Sequence, residues 1–189
     1  MTQKKDWRNY SKVAFTSMEP LVSLWKTGCP DTVRAITKIY YELVFSSGNN
    51  TTGLVSEEAF QNHISGKKTD NDDDHILSPQ FVARMIMDEA DYYFSNYEAF
   101  EKVFNLCRQT IKVTSKENHE LRQLTTNDRS VYQIKIPTVG KYHYLGIKLM
   151  LKKGRTIDTC LFISKDQSDK IIDIPECLTK YESQFVVGV

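Results

Sequence analysis

The spacing between apolar residues changes along this chain, and that change constrains the fold more than any other feature of the sequence. In the first half, apolar residues recur every three or four positions, as at Val33, Ile36 and Tyr40, which is typical of a helix with one buried face. From residue 130 onward apolar and polar residues alternate, as at Tyr132 and Ile134, which is typical of half-buried strands. Helices followed by strands predict an α+β fold, with a helical N-terminal half packed on a C-terminal antiparallel β-meander.

Start signals divide the helical half into separate helices. The first clear helical pattern covers residues 33–46, with Asp31 or Cys29 as its cap. Ser56 predicts the start of a short helix, and the pair Ser78–Pro79 predicts the start of another, since proline suits the first helical position. The segment Ser95–Glu98 matches a capping box, which predicts a helix with a long apolar face after it.

We predict one domain over residues 1–189, with a sub-boundary in the polar stretch near residues 114–129. This boundary separates a helical part, residues 1–113, from a β-meander part, residues 130–189. The strands of the meander are predicted over residues 132–136, 143–151 and 157–163, with a tight turn at Lys153–Gly154.

The composition is that of a globular protein that needs no disulfide bond or metal ion in order to fold. Hydrophobic residues make up 40% of the 189 residues and charged residues 26%, so a core of ordinary size is expected. No apolar run approaches the roughly 18 residues of a membrane span, and the charged N-terminus does not resemble a secretory signal. The four cysteines lie far apart without a CxxC pair. We therefore expect a soluble, cytoplasmic protein with reduced cysteines and no membrane partner.

Charge is unevenly distributed along the sequence. Residues 50–100 hold ten acidic and three basic residues, a balance of −7. Residues 129–189 hold ten basic and six acidic residues, a balance of +4. Such polarity is a clue to charged partners, although it says nothing about the fold.

The basic part of the chain carries aromatic residues among its lysines. Alternation along residues 142–149 directs the leucines and Ile147 toward the helices, and the tyrosines and Lys148 outward. Aromatic rings can stack on bases while lysines neutralise phosphates. We therefore predict a small non-enzymatic regulatory protein that binds DNA or RNA through Tyr142, Tyr144, Lys148, Lys152, Lys153 and Arg155.

A second hypothesis, from a different class, uses the acidic segment over residues 70–91. Residues 67–75 are the most polar stretch of the chain and predict a solvated loop, and the segment after it is predicted to be helical. An acidic surface favours docking to a basic protein, or to the basic part of a second copy. This hypothesis makes the chain an inhibitor, immunity or assembly factor that binds its partner through Asp70, Asp72, Asp73, Asp74, Asp88 and Asp91.

No stretch of the sequence matches a catalytic, metal or cofactor motif. Asp70, Asp72 and Asp74 have the spacing of the first three EF-hand ligands, but His75 and Phe81 stand where the loop needs glycine and glutamate. The chain has no G-x-S-x-G, P-loop or G-x-G-x-x-G sequence. We predict no catalytic residue, no metal and no cofactor. The enzymatic alternative is a metal-independent RNase built on the lysine, arginine and tyrosine residues of the basic surface.

Overall fold

The computed structural model describes residues 6–67, 70–125, 140–152 and 160–162, and the chain divides into two compact units. Unit 1 comprises Met1–Asn50 and Leu77–Arg108, and unit 2 comprises Thr51–Ile76 and Gln109–Val189. The elements in chain order are α1 (Trp7–Met18), a 3-10 turn (Glu19–Leu21), α2 (Val22–Trp25), α3 (Pro30–Ser46), β1 (Asn50–Ser56), α4 (Glu57–Ile64), β2 (Asn71–His75), α5 (Pro79–Asp88), α6 (Ala90–Ser95), α7 (Tyr97–Cys107), β3 (Gln109–Thr114), α8 (Ser115–Thr125), α9 (Gly140–Tyr144), β4 (Leu149–Lys152) and β5 (Cys160–Phe162).

Unit 1 is built from helices that bury aromatic side chains between them. Phe15 of α1 meets the ring of Phe100 of α7 edge-on at 5.3 Å, and Tyr40 of α3 meets Phe104 in the same way at 5.6 Å. Edge-to-face contact is a favoured arrangement of aromatic rings and adds to the gain from burying their area. The helical spacing of Ile36 and Tyr40 correctly predicted which face of α3 is buried.

The predicted starts of α4 and α5 are confirmed, the start of α7 is shifted by one residue, and α1 was not predicted. The Ser56 hydroxyl accepts a hydrogen bond from the Ala59 amide and caps α4, and Pro79 is the first residue of α5. The cap of α7 is Asn96 rather than Ser95, because the Asn96 side chain accepts the Ala99 amide at 3.1 Å. Helix α1 was not predicted, since small residues such as Ser11 and Ala14 form much of its buried face and give a weak apolar signal.

Unit 2 is built on a five-stranded sheet with the order β2-β3-β1-β4-β5. The pairs β2–β3, β1–β4 and β4–β5 are antiparallel, with registers such as Asp74 opposite Ile111 and Leu54 opposite Leu151. The main apolar cluster joins the sheet to α8 and α9 and contains Leu54, Ile76, Ile111, Val113, Leu121, Tyr142, Ile147 and Leu149.

The mixture of helix and sheet was predicted correctly, but the division into a helical half and a meander was wrong in detail. Strands β1, β2 and β3 all lie within residues 1–113, the predicted helical part. Residues 71–75, predicted as a solvated loop, form β2 because they pair along their whole length with β3. Residues 140–144 form α9 rather than the start of a strand, and β4 begins only at Leu149.

Some predictions fall on parts of the chain that the structure does not describe. The predicted strand over residues 132–136 and the turn at Lys153–Gly154 lie outside the described residues. The predicted strand over residues 157–163 is confirmed where it is described, as β5. Among the described residues, no helix has the length and apolar character needed to cross a membrane.

Burial of the Cys107 thiol gives unit 1 a distinct response to alkaline pH. Cys107 is fully buried beside the Tyr40 hydroxyl, and burial raises the pKa of its thiol from 9.0 to about 12. The unfolded chain loses this proton near pH 9, whereas the folded chain keeps it. Stability from this group is therefore complete below pH 9 and declines as pH rises toward 12, by up to about 1.4 kcal/mol per pH unit.

We predict that Cys107→Ala flattens the loss of stability between pH 9 and pH 10. The measurement is the free energy of unfolding from urea titrations at several pH values in this window. The matched control is Cys29→Ala, which removes an exposed thiol. A Cys107→Ala slope as steep as that of the unsubstituted protein would contradict the assignment.

Candidate functional site

Two helix N-termini in unit 2 are capped by side chains that also bond to each other. At α8, Thr114 and Glu117 form a capping box: the Thr114 hydroxyl accepts the Glu117 amide at 3.1 Å, and the Glu117 carboxylate accepts the Thr114 amide at 2.8 Å. At α4, the Ser56 hydroxyl accepts the Ala59 amide at 3.1 Å. The same hydroxyl donates to Glu117 Oε2 at 2.6 Å, so one carboxylate holds both helix starts together.

Beside these caps lies a pocket of about 260 Å³ with walls of mixed charge. Its volume is slightly below the roughly 300–1,000 Å³ of sites for drug-sized ligands, so it suits a group the size of one side chain. Four carboxylates and two ammonium groups share the lining with a short apolar stretch. The lining residues are Glu57, Glu58, Lys116, Glu117, Glu120, Leu145, Gly146, Ile147 and Lys148.

One wall of the pocket is the turn over residues 145–148 that follows α9. Gly146 has φ of +69°, a conformation that a side chain would disfavour, and it allows the chain to reverse here. The Lys148 carbonyl accepts the Glu57 amide at 2.9 Å, which ties the turn to the start of α4. The Lys148 ammonium lies 3.5 Å from Glu57 Oε2, but its side chain is 70% exposed and the pair is therefore weak.

A buried polar cluster anchors α9 to β2. The Lys141 ammonium lies 2.6 Å from Asp74 Oδ2 and donates to the His75 carbonyl at 2.6 Å. The Tyr142 hydroxyl donates to the same Asp74 oxygen at 2.5 Å. Burial, with the Asp74 charge as a second cause, raises the pKa of Tyr142 well above its ordinary value, so the phenol stays protonated and remains a donor.

The predicted nucleic-acid residues do not form one outward strand face. Tyr142 and Tyr144 lie on α9, and Tyr142 is 0% exposed, so its ring cannot stack on a base. Tyr144 is exposed, Lys148 lines the pocket, and Lys152 ends β4. Lys153 and Arg155 lie outside the described residues. The strand prediction failed because residues 140–144 form α9, in which the Tyr142 hydroxyl is buried against Asp74, distant in sequence.

The predicted acidic binding surface is also divided. Asp70, Asp72, Asp73 and Asp74 belong to unit 2, whereas Asp88 and Asp91 belong to unit 1. Besides Asp74, which bonds to Lys141 and Tyr142, three of them have a hydrogen-bond or ion-pair partner inside their own unit. Asp72 accepts from Asn118 at 3.1 Å, Asp73 lies 2.8 Å from the Lys112 ammonium, and Asp88 accepts from the Trp25 indole at 2.8 Å.

The glutamates of the pocket were missed although a local signal was present. Thr114-Ser-Lys-Glu117 fits the capping-box pattern, and Ser56 was already identified as a helix cap. These two signals place several glutamates in first turns of helices. They do not reveal that the two first turns meet, because that depends on the pairing of β1 and β3 in the sheet.

We predict that Glu117→Gln destabilises unit 2 by about 1–3 kcal/mol, because a charged acceptor that serves two caps is replaced by a neutral amide. Urea unfolding is the measurement. The matched control is Glu120→Gln, in the same pocket and helix but outside the caps, with an expected change within about 0.5 kcal/mol. Equal effects of the two substitutions would show that Glu117 does not couple the helices.

Within residues 6–67, 70–125, 140–152 and 160–162, no group of three or more histidine, cysteine, aspartate or glutamate side chains is arranged to hold a metal ion. No protein-family model, curated protein or solved structure matches this chain.

Proposed function

We propose that this protein is a non-enzymatic binding protein, and that the pocket of unit 2 receives a lysine or arginine side chain of a protein partner. The observation that supports the proposal is a partly open pocket of about 260 Å³ whose lining includes four carboxylates. The class of function is the protein-binding factor of our second hypothesis. The residues differ, since the carboxylates come from the first turns of α4 and α8.

The charges of the pocket favour a cationic guest. Its four glutamates and two lysines give a formal balance of −2. Glu117 is engaged with the two caps and Glu57 with Lys148. Glu58 is exposed and Glu120 half-buried, and neither has an ion-pair partner among the residues that the structure describes. A cation between these two carboxylates would gain Coulomb attraction in a partly enclosed space.

The shape of the pocket suits a long cationic side chain. Leu145 and Ile147 provide an apolar wall against which the methylene stem can pack. The glutamates of the same lining supply negative charge for the cationic end. Arginine would gain most, because its planar guanidinium can bond a carboxylate through two parallel hydrogen bonds.

The phosphate backbone of DNA or RNA is a less suitable ligand for this pocket. The carboxylates repel phosphate, and Lys148 is partly neutralised by Glu57. Binding of DNA or RNA through the exposed Tyr144, Lys148 and Lys152 stays a prediction, as does RNA cleavage by that surface. Experiments can distinguish both hypotheses from the pocket proposal, because they require basic side chains and the pocket proposal requires acidic ones.

We predict that a fluorescein-labelled hexa-arginine peptide binds the protein at low salt and more weakly at physiological salt. The double substitution Glu58→Gln, Glu120→Gln is expected to weaken binding about tenfold, since each lost charge contact is worth about 0.5–1 kcal/mol. The measurement is a fluorescence-anisotropy titration. The matched control is Glu42→Gln, Glu98→Gln, which removes the same charge from exposed helix positions of unit 1.

Labelled single-stranded and duplex RNA and DNA are titrated in the same series, with an RNA integrity gel at its end. No peptide binding at low salt, or equal weakening by the two double variants, would overturn the pocket proposal. Nucleic-acid binding that is lost on Lys148→Glu, Lys152→Glu would instead support the basic-surface hypothesis, and RNA cleavage would support the RNase alternative.

A further inference from the structure

Helix α9 is fixed to the sheet by polar groups that water does not reach. The side chains of Lys141 and Tyr142 both bond to Asp74 Oδ2, at 2.6 and 2.5 Å. Lys141 and Tyr142 are almost completely buried, and Asp74 is 8% exposed. In such surroundings each bond is strong and a missing partner is costly, so the position of α9 over β2 is closely defined.

The same two residues hold the pocket turn through their backbone. The Lys141 carbonyl accepts the Leu145 amide at 3.2 Å, and the Tyr142 carbonyl accepts the Ile147 amide at 2.8 Å. Leu145 and Ile147 form the apolar wall of the pocket. Lys141 and Tyr142 therefore link Asp74 to the pocket: their side chains bond to Asp74, and their backbone carbonyls bond to the apolar wall.

The opposite end of the turn is tied to the acidic side of the pocket. The Lys148 carbonyl accepts the Glu57 amide at 2.9 Å, at the first residue of α4. A shift of α9 would move residues 145–148 and change the distance between the apolar wall and the carboxylates. Asp74 does not line the pocket itself, so any effect on a ligand passes through α9.

We propose that Asp74 is a positioning residue for the pocket, acting through Tyr142 and Lys141 on the turn over residues 145–148. The inference rests on the proposed function, because it assigns to Asp74 an effect on the binding of a cationic side chain. It also gives Asp74 a role different from the direct partner contact that the sequence predicted. A merely structural role would change the stability of unit 2 and leave the pocket of the folded protein intact.

The test uses Tyr142→Phe, which removes one hydroxyl and keeps the ring. Its matched control is Tyr40→Phe, which removes the hydroxyl of a buried tyrosine in unit 1 that contacts Cys107. Both variants are compared with the unsubstituted chain well below their unfolding temperatures. We expect Tyr142→Phe to weaken hexa-arginine binding about tenfold, a loss of the size that one displaced pocket wall can cause, and Tyr40→Phe to leave it within about twofold.

A readout independent of the peptide separates this inference from the proposed function. Amide hydrogen exchange is measured residue by residue at Gly146, Ile147 and Glu57, with Ile36 in α3 as the internal reference. We expect exchange at the three pocket amides to accelerate in Tyr142→Phe, and also in Asp74→Asn, and to stay unchanged in Tyr40→Phe. If the unsubstituted protein fails to bind the peptide, the proposed function is wrong and exchange alone decides the positioning role. Unchanged exchange at the pocket amides in folded Tyr142→Phe overturns the inference.

Discussion

The carboxylate of Asp74 is the constraint on which the described part of unit 2 depends. A charge buried to this degree is stable only when its partners are all in place, because removing it from water costs several kcal/mol. Lys141 and Tyr142 meet that requirement, and to do so α9 must lie across β2 at one position. Such a cluster adds little to net stability compared with apolar groups of the same volume. Its effect is to select one arrangement of α9 and of the turn that follows it.

Unit 2 uses a second carboxylate in a different way. Glu117 is as buried as Asp74, but its partners are a backbone amide and a hydroxyl rather than a cation. Its charge has no paired cation among the described residues, and it lies beside the pocket while it joins the starts of α4 and α8. Positive ends of helix dipoles help to accommodate that charge. Asp74 positions the apolar wall of the pocket, and Glu117 positions the first turns of α4 and α8, which carry the glutamates.

The elements that depend on nearby residues were predicted from the sequence. The elements that depend on contacts between distant segments were missed. Helices α3, α4, α5 and α7 follow from apolar spacing and capping residues, and their starts were placed to within a residue or two. Strand β2 could not be found this way, since Asn-Asp-Asp-Asp-His has almost no strand propensity and forms a strand only by pairing with β3. The alternating residues around Tyr142 suggested a strand, but residues 140–144 form a helix, and Tyr142 bonds to Asp74, 68 positions away. The capping box at Thr114 can be recognised in the sequence, whereas the contact between the two capped helix starts cannot be predicted from it.

The distribution of charge along the sequence did not predict where charged side chains gather in the folded chain. The ten acidic residues between positions 50 and 100 are divided by the fold, with six in unit 2 and four in unit 1. Within unit 2, Asp74 is paired with Lys141 and Asp73 with Lys112, so these two carboxylates present no unpaired charge. The pocket instead combines Glu57 and Glu58 with Glu117 and Glu120 from a stretch whose overall balance is near neutral. A site of this kind depends on two short first turns brought together by the sheet, and its charge becomes visible only when both turns are considered as one surface.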